Sequence, residues 1–397
     1  MWEQIRDNQA RSVILVTSLG FMLVLLGSFL GWALLGDWAV GILLALLVWI
    51  VMTLVGYFQG DSILLSLSNA RKIGPEDMPR IYNVVEEMKI ASGLEKMPDI
   101  YIVDDPALNA FATGRDKNHA SLAVTSGLLQ KLSRDELQGV VGHEMAHIRN
   151  RDVLLMALCS VLLGTIVIIA WYGSRVLFFG GGTRRSSSGG GGAQVIILLA
   201  AVALMILAPI MAQFIYLAIS RKREYLADAS SALYTRYPEG LASALEKIAA
   251  STEQLKSANN ATAPMYILNP FRKSGRVAED LSSTHPPISE RVRILRAMAG
   301  NASLAAYESA YNQSHKGGGG IIPGSELAAG DTTLQRGTLA VAAAPGEKER
   351  AREASDVLWK LHNYREITCN CGLKFKVPPD FHGDSFNCPR CGEVYGL

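Results

Sequence analysis

Charge is scarce in this chain of 397 residues: Asp, Glu, Lys and Arg make up 19% of it against 49% hydrophobic residues, and the net charge is only +2. That balance offers no argument for nucleic acid, and none is predicted as a partner. Cysteine is scarcer, with five in all, and four of them fall in the last 30 residues. The lone upstream Cys159 lies in an apolar run, where it reads as a small packing residue, so no disulfide framework organises the body of the chain. Histidine is also rare, at seven. Two histidines one helical turn apart therefore carry information.

Charges are missing most completely from four runs, 13–35, 38–58, 153–172 and 195–219. Each holds about 20 or more residues, enough to cross a bilayer as a helix. The first is too long for a signal-peptide core and ends without a clear cleavage site, so it is expected to remain as an anchor. If all four runs cross, Arg6, Arg11, Arg71, Lys72, Arg149, Arg151, Arg221, Lys222 and Arg223 share one side and only Arg175, Arg184 and Arg185 the other. Basic loops stay in the cytoplasm. The expected location is thus the inner (cytoplasmic) membrane, multi-pass, with both termini and residues 60–152 cytoplasmic and 174–193 outside.

The two histidines are His143 and His147 in His143-Glu144-Met145-Ala146-His147. Ser133 with Glu136 forms a capping box, and Leu137, Val140, Val141, Met145 and Ile148 supply an apolar stripe, so the segment is predicted to be a helix. On it both imidazoles project from one face and can bind a single Zn²⁺, with Glu144 beside them to take a proton from the attacking water. A catalytic zinc needs a third protein ligand and an open position. A third histidine six residues on is ruled out, because Val153 stands there. Glu224 in Arg223-Glu224-Tyr225-Leu226-Ala227-Asp228 is the best candidate, since Asp228 shares its helix face and can accept a proton from the distal nitrogen of a ligating histidine. The same residues also read as an ordinary charged turn leaving the membrane.

Around this helix, Ile81, Val84, Val85 and Met88 predict an amphipathic helix. Residues 99–103 predict a strand, as do 109–114 and 119–125 on either side of a polar turn. Two further apolar stripes, Leu241, Leu245 and Ile248, then Val292, Leu295 and Met298, predict helices. The Gly- and Ser-rich stretch 174–193 reads as a connector. The domains expected are a membrane hairpin at 1–60, a metallopeptidase domain at 61–315 interrupted by a hydrophobic hairpin at 153–219, a flexible linker at 316–346, and a helix with a cysteine module at 347–397.

In that module Cys369-Asn370-Cys371-Gly372 and Cys388-Pro389-Arg390-Cys391-Gly392 are separated by 16 residues, and Lys374 to Val377 alternates like a strand. Four thiolates suit a tetrahedral Zn²⁺, and a glycine after each pair permits the tight turn that brings amides to sulfur. The module resembles a zinc ribbon, although its first pair has one intervening residue where two are commoner. A redox dithiol is the alternative, and the ribbon's partner is unknown.

The chain as a whole resembles the HtpX family of membrane-bound zinc endopeptidases, relatives of the CAAX prenyl endopeptidases. The likeness spans roughly residues 1–300 and rests on Asn109-Ala110-Phe111-Ala112, His143-Glu144-Met145-Ala146-His147, Glu224 with Asp228, and Thr284-His285-Pro286-Pro287 followed by Arg291. It implies a mainly α fold with a small β-sheet and a zincin-like, gluzincin peptidase domain. Zinc would be held by His143, His147 and Glu224, with Glu144 as general base and His285 and Arg291 helping to hold the oxyanion. The strand of Asn109, Ala110 and Phe111 would lie near bound substrate, and a peptide can add to an exposed sheet edge there. Read without the family, Thr284-His285-Pro286-Pro287 is a rigid lead-in to a helix and Arg291 a solvated charge. The expected activity is endoproteolysis of misfolded or selected membrane proteins in quality control. Rival readings are a catalytically silent scaffold recruiting partners through the ribbon, and processing of prenylated proteins. The expected cofactors are one catalytic and one structural zinc ion.

Overall fold

The computed structural model describes residues 2–179, 206, 210, 221–256, 265–267, 286–298, 301–315, 320–322, 324–327, 345–383 and 385–396. It opens with two long helices, α1 (Trp2–Leu35) and α2 (Trp38–Leu67), as the two apolar runs predict. Asp37 breaks them apart and caps α2, its Oδ1 accepting from the amide of Ala39 at 2.8 Å. The hairpin closes on small residues: a Cβ on Gly31 would lie 2.4 Å from Gly41 Cα, so only glycine permits this approach. Such contacts replace the hydrophobic effect as the source of helix association in lipid.

Three helical segments among the described residues are long and apolar enough to cross a membrane, Val13–Trp32, Trp38–Leu67 and Asp152–Gly173. The fourth expected span, 195–219, lies almost wholly outside the described residues. The helix from Trp38 runs past the expected 38–58 to Leu67, and Leu64 and Leu65 in its last turns pack with the sheet.

That sheet has the order β1 (Arg71–Lys72), β2 (Asp99–Val103), β4 (His119–Thr125), β3 (Ala110–Asp116), with β2 parallel to β4 and the other pairs antiparallel. Alternation sends its side chains two ways. Ile100, Ile102, Ala110, Ala112, Leu122 and Val124 enter the main core with the helix α3 (Pro79–Ser92). Val103, Phe111 and Ala123 enter a second core with Leu64 and Leu65 of α2 and with Met156 and Ala157. The sheet therefore stands directly on the membrane helices.

After the short α4 (Ser126–Lys131) comes α5 (Arg134–Arg149), the histidine helix, opened by the predicted Ser133/Glu136 capping box and buried from Glu136 through Ile148. Its Gly139 has a structural reason: a Cβ there would lie 2.6 Å from the amide of Leu241 on α8 (Pro238–Ala250). This helix leads almost without a break into the next apolar segment. Arg151 takes a left-handed φ of +61° between α5 and α6 (Asp152–Phe179), and a new helix starts at Asp152. A helix over 221–235, α7, precedes α8, and α9 (Ile288–Ala297) and α10 (Leu304–Ser314) complete the body.

Two expectations about the C-terminal third change. Part of the supposed linker at 316–346 is folded: Ile322 is buried in the main core, its amide and that of Ile321 donate to Glu308, and α11 (Gly324–Leu327) follows. The helix α12 (Glu347–Leu361), expected beyond the linker with the cysteine module, packs on the peptidase body. It buries Ala354 and Val357 in the main core, pairs Glu353 with Arg80 at 2.9 Å and Glu347 with Lys131 at 2.6 Å, and so docks beside α4. Two antiparallel strand pairs, β5 (Arg365–Thr368) with β6 (Lys374–Val377) and β7 (Ser385–Asn387) with β8 (Val394–Gly396), carry the cysteines.

Candidate metal centre

Helical spacing on α5 places His143 Nε2 3.2 Å from His147 Nε2, with the rings at 86° to each other. Helix α7 brings Glu224 to the same point, Oε2 lying 3.5 Å from His143 Nε2 and Oε1 3.5 Å from His147 Nε2. All three side chains are buried. The residues fit a metal ion. A four-coordinate ion bound at about 2.1 Å spaces its donors by roughly 3.3 Å, close to the separations found. The imidazoles also argue for a cation between them, since each has its other nitrogen on a carboxylate. His143 Nδ1 lies 2.9 Å from Asp228 Oδ1, and His147 Nδ1 lies 3.0 Å from Asp152 Oδ2. A Nδ1–H donating to each carboxylate leaves two Nε2 lone pairs converging, which repel unless a cation sits between them.

Electrostatics agree. Burial works against a charged His143, but hydrogen bonds to Asp228 and Glu224 outweigh it and raise its pKa to about 9. The site thus favours a positive charge at that ring, a proton or a metal ion. Burial likewise opposes ionisation of Asp228, yet the Arg291 guanidinium and His143 hold its carboxyl below the usual carboxylate range.

Arg291 is the residue whose reading changes most. It is fully buried and not a solvated helix charge, with Nε 2.8 Å from Asp228 Oδ2, Nη2 2.7 Å from Asp228 Oδ1 and Nη1 3.8 Å from Glu224 Oε2. Its fork is committed to Asp228, the carboxylate behind His143, and it also reaches the candidate ligand Glu224, which is the geometry of a group that positions them. His285 lies outside the described residues.

Glu144 is buried on the next position of α5, and burial pushes its carboxyl pKa up while a hydrogen bond from the main-chain amide of Ala112 works the other way. Strand β3 therefore runs past the centre with an outward amide aimed at the base. The expectation of an exposed edge at Asn109, Ala110 and Phe111 is corrected: all three are buried. The Asn109 amide donates to Thr125 Oγ1 at 3.0 Å, Ala110 accepts from the amide of Ile267 at 3.1 Å, and Phe111 meets Tyr266 edge-on in the second core. Their side chains build the strand, and the main chain of Ala112 faces the site.

Sequence reasoning missed Asp152 and Arg223, whose Nη1 stands 3.6 Å from Asp152 Oδ1. No helical spacing links position 152 to position 147. The left-handed Arg151 that brings them together leaves no pattern in the sequence.

The cysteines converge as expected. Cys369 Sγ lies 3.3 Å from Cys391 Sγ and Cys371 Sγ 3.8 Å from Cys388 Sγ, and one sulfur from each residue falls within 4.8 Å of the others. These separations are far above the roughly 2.05 Å of a disulfide and close to those of thiolates around one ion. Gly372 and Gly392 take φ of +82° and +77°, and the Gly372 and Gly392 amides bond back to the carbonyls of Cys369 and Cys388 at 2.8 Å. The single residue between Cys369 and Cys371 does not prevent convergence.

Comparison with known proteins places residues 75–299 in Peptidase family M48. A Protease HtpX homolog of Streptococcus pyogenes is 41% identical over 300 residues, which is 75% of this chain and 100% of that protein. The corresponding homolog of Streptococcus agalactiae is 41% identical over 298 residues, again 75% of this chain and all of the relative. Among solved structures, Ste24p of S. mikatae is similar at 19% identity, covering 74% of this chain and 67% of that one with a TM-score of 0.40.

Proposed function

The chain belongs to Peptidase family M48 as an HtpX-like membrane metalloprotease, and from that premise we propose that it cleaves misfolded or selected membrane proteins on the cytoplasmic side of the inner membrane. The observation that carries this reading is the convergence of His143, His147 and Glu224 beside the buried Glu144, on a body whose sheet rests on membrane helices. In it, His143, His147 and Glu224 hold a zinc ion, and the ion supplies Lewis-acid polarisation of the scissile carbonyl and of water. Glu144 takes the proton of the attacking water and returns it to the leaving amine, a task its burial favours by keeping the proton affinity above that of a solvated glutamate. Asp228 holds the His143 ring, and Arg291 holds Asp228. His285 stabilises the oxyanion, a role carried from the family motif Thr284-His285-Pro286-Pro287.

We place substrate backbone near β3 at Ala112, whose amide faces the base, beyond the covered stretch of Asn109, Ala110 and Phe111. Main-chain pairing of this kind tolerates many sequences and suits a protease that acts on unfolded segments. Cys369, Cys371, Cys388 and Cys391 hold a second, structural zinc in a module for binding substrate or partner protein. The nine-to-three asymmetry of basic residues supports termini and active site in the cytoplasm. The deciding experiment is cleavage of an unfolded membrane protein by the purified chain with zinc, beside Glu144→Ala. Activity lost in the variant with zinc still bound supports the reading, and undiminished cleavage overturns it.

A further inference from the structure

Each ligating imidazole has a carboxylate and then a guanidinium behind it, but the two sets come from different parts of the molecule. Behind His143 stand Asp228 of α7 and Arg291 of α9, both in the soluble body. Behind His147 stands Asp152, 1% exposed, with Oδ2 3.0 Å from Nδ1. Asp152 is the first residue of α6, a helix apolar enough to cross the membrane. Its other oxygen faces Arg223, itself buried, at the start of the described part of α7.

We propose that Asp152 is a positioning residue that fixes the tautomer and angle of His147, and that through it the seating of membrane helix α6 sets the metal affinity of the peptidase site. A carboxylate on Nδ1–H holds the ring in the form whose Nε2 lone pair points at the ion and makes that nitrogen a better donor. The link to the membrane is short. Asp152 leads directly into Leu155, Met156, Ala157 and Leu158, which pack in the second core and against the membrane hairpin. On α2, a Cβ added at Gly60 would come 3.2 Å from Ala157 Cβ, which has no side-chain freedom to move aside, so a side chain larger than that Cβ presses on the first turns of α6. A rigid helix passes such a push to its first residue, and the Nδ1 contact passes it to the ligand.

The inference rests on His143, His147 and Glu224 as the metal ligands, and the test separates the two. Zinc occupancy of the full-length protein is titrated against a competing chelator, with Glu224→Ala as the baseline for zinc held by the cysteines. Asp152→Ala is expected to weaken the peptidase site by about 10- to 100-fold, and Asp152→Asn by less, because an amide oxygen turned to the place of the carboxylate Oδ2 still accepts from Nδ1–H. Should Asp152→Ala fail to fold, the isosteric Asp152→Asn carries the comparison.

Gly60→Leu tests the membrane link. It is expected to weaken zinc binding in the wild-type background and to have much less effect beside Asp152→Ala, which removes the contact that carries the push, the non-additivity of residues acting through one contact. Unchanged zinc affinity in the Asp152 variants overturns the positioning role, and additive losses overturn the link to α6. Wild-type protein that binds no more zinc than Glu224→Ala overturns the metal-site reading itself.

Discussion

The molecule gathers two sets of metal-binding side chains, and they are built in opposite ways. His143, His147 and Glu224 are all buried, project from helices that form the main core, and are held from behind by buried carboxylates. The cysteine set sits on turns between short strands, with Cys391 exposed and aromatic contacts among Phe375, Phe386 and Tyr395 as the nearest thing to a core. A module that small has too little apolar surface to fold by burial alone. Under the proposed two-zinc reading, the difference separates a scaffold that presets its donors, leaving the ion for chemistry, from one in which the ion would be part of the fold.

The largest effect that tests this contrast is on rate. Glu144→Ala should lower peptide cleavage by at least roughly 10²- to 10⁴-fold, the range of general-base catalysis, while the buried site keeps its zinc. Steady-state cleavage and metal analysis on the same preparation check both halves. Loss of zinc with activity would place Glu144 among the ligands and remove the distinction between preset donors and base.

Next in size is the response to metal removal. Chelation should unfold 365–396, seen as loss of hydrogen-exchange protection in the strand pairs, whereas the amides of α5 stay protected because their core does not need the ion. Cys388→Ser should do the same to the module and leave cleavage of a short soluble peptide near wild type. A collapse of protection in α5 on chelation would show that the histidine site too is built by its metal.

How much was legible follows the same division. Donor types and spacing spoke for themselves: His143 and His147 one turn apart, the Ser133/Glu136 cap, and the paired cysteines each followed by glycine all appear as read. Glu224 was ambiguous alone, because 76 residues separate it from His147 and only the fold brings α7 back to α5. Asp152 and Arg223 were illegible, since a left-handed turn at Arg151 and a tertiary contact join them. Arg291 looked solvated because a helix with charges at 290, 291, 293 and 296 has no obvious inward side until α7 supplies Asp228. The docking of α12 was missed for a related reason. Its polar sequence buries only Ala354 and Val357, and the ion pairs of Glu353 and Glu347 that dock it are made with partners more than 200 residues away.

A smaller effect concerns Asp228. Asp228→Ala should weaken zinc at the buried site by about 10- to 100-fold, less than the loss from removing Glu224 itself, because an orienting partner is lost and not a donor. Competition titration against the Glu224→Ala baseline measures it. Because Arg291 is fully buried against Asp228, the same change strands a guanidinium, so Asp228→Asn, which keeps an acceptor, should retain more of the fold. Equal losses in Asp228→Ala and Glu224→Ala would mean that Asp228 is itself a ligand.

The smallest effect lies in what presets α5. Ser133→Ala removes the N-cap and should cost about 0.5–2 kcal/mol, read as faster hydrogen exchange along the helix without zinc. Its partner Glu136 also pairs with Lys247 of α8 at 2.8 Å, joining the histidine helix to its neighbour. Burial pushes the Glu136 carboxyl up, but hydrogen bonds from Lys247 and Ser133 outweigh it, so the folded pKa lies below the ordinary 4.5. A depressed carboxylate pKa contributes stability that is fully present above the unfolded value and is lost as pH falls through the folded one. The gap in α5 protection between wild type and Glu136→Gln should therefore be constant from neutral pH down to about 5 and close below 4.5. A gap that persists undiminished through that range would assign the effect to packing, and the preset geometry of the histidine site would rest on the core rather than on its cap.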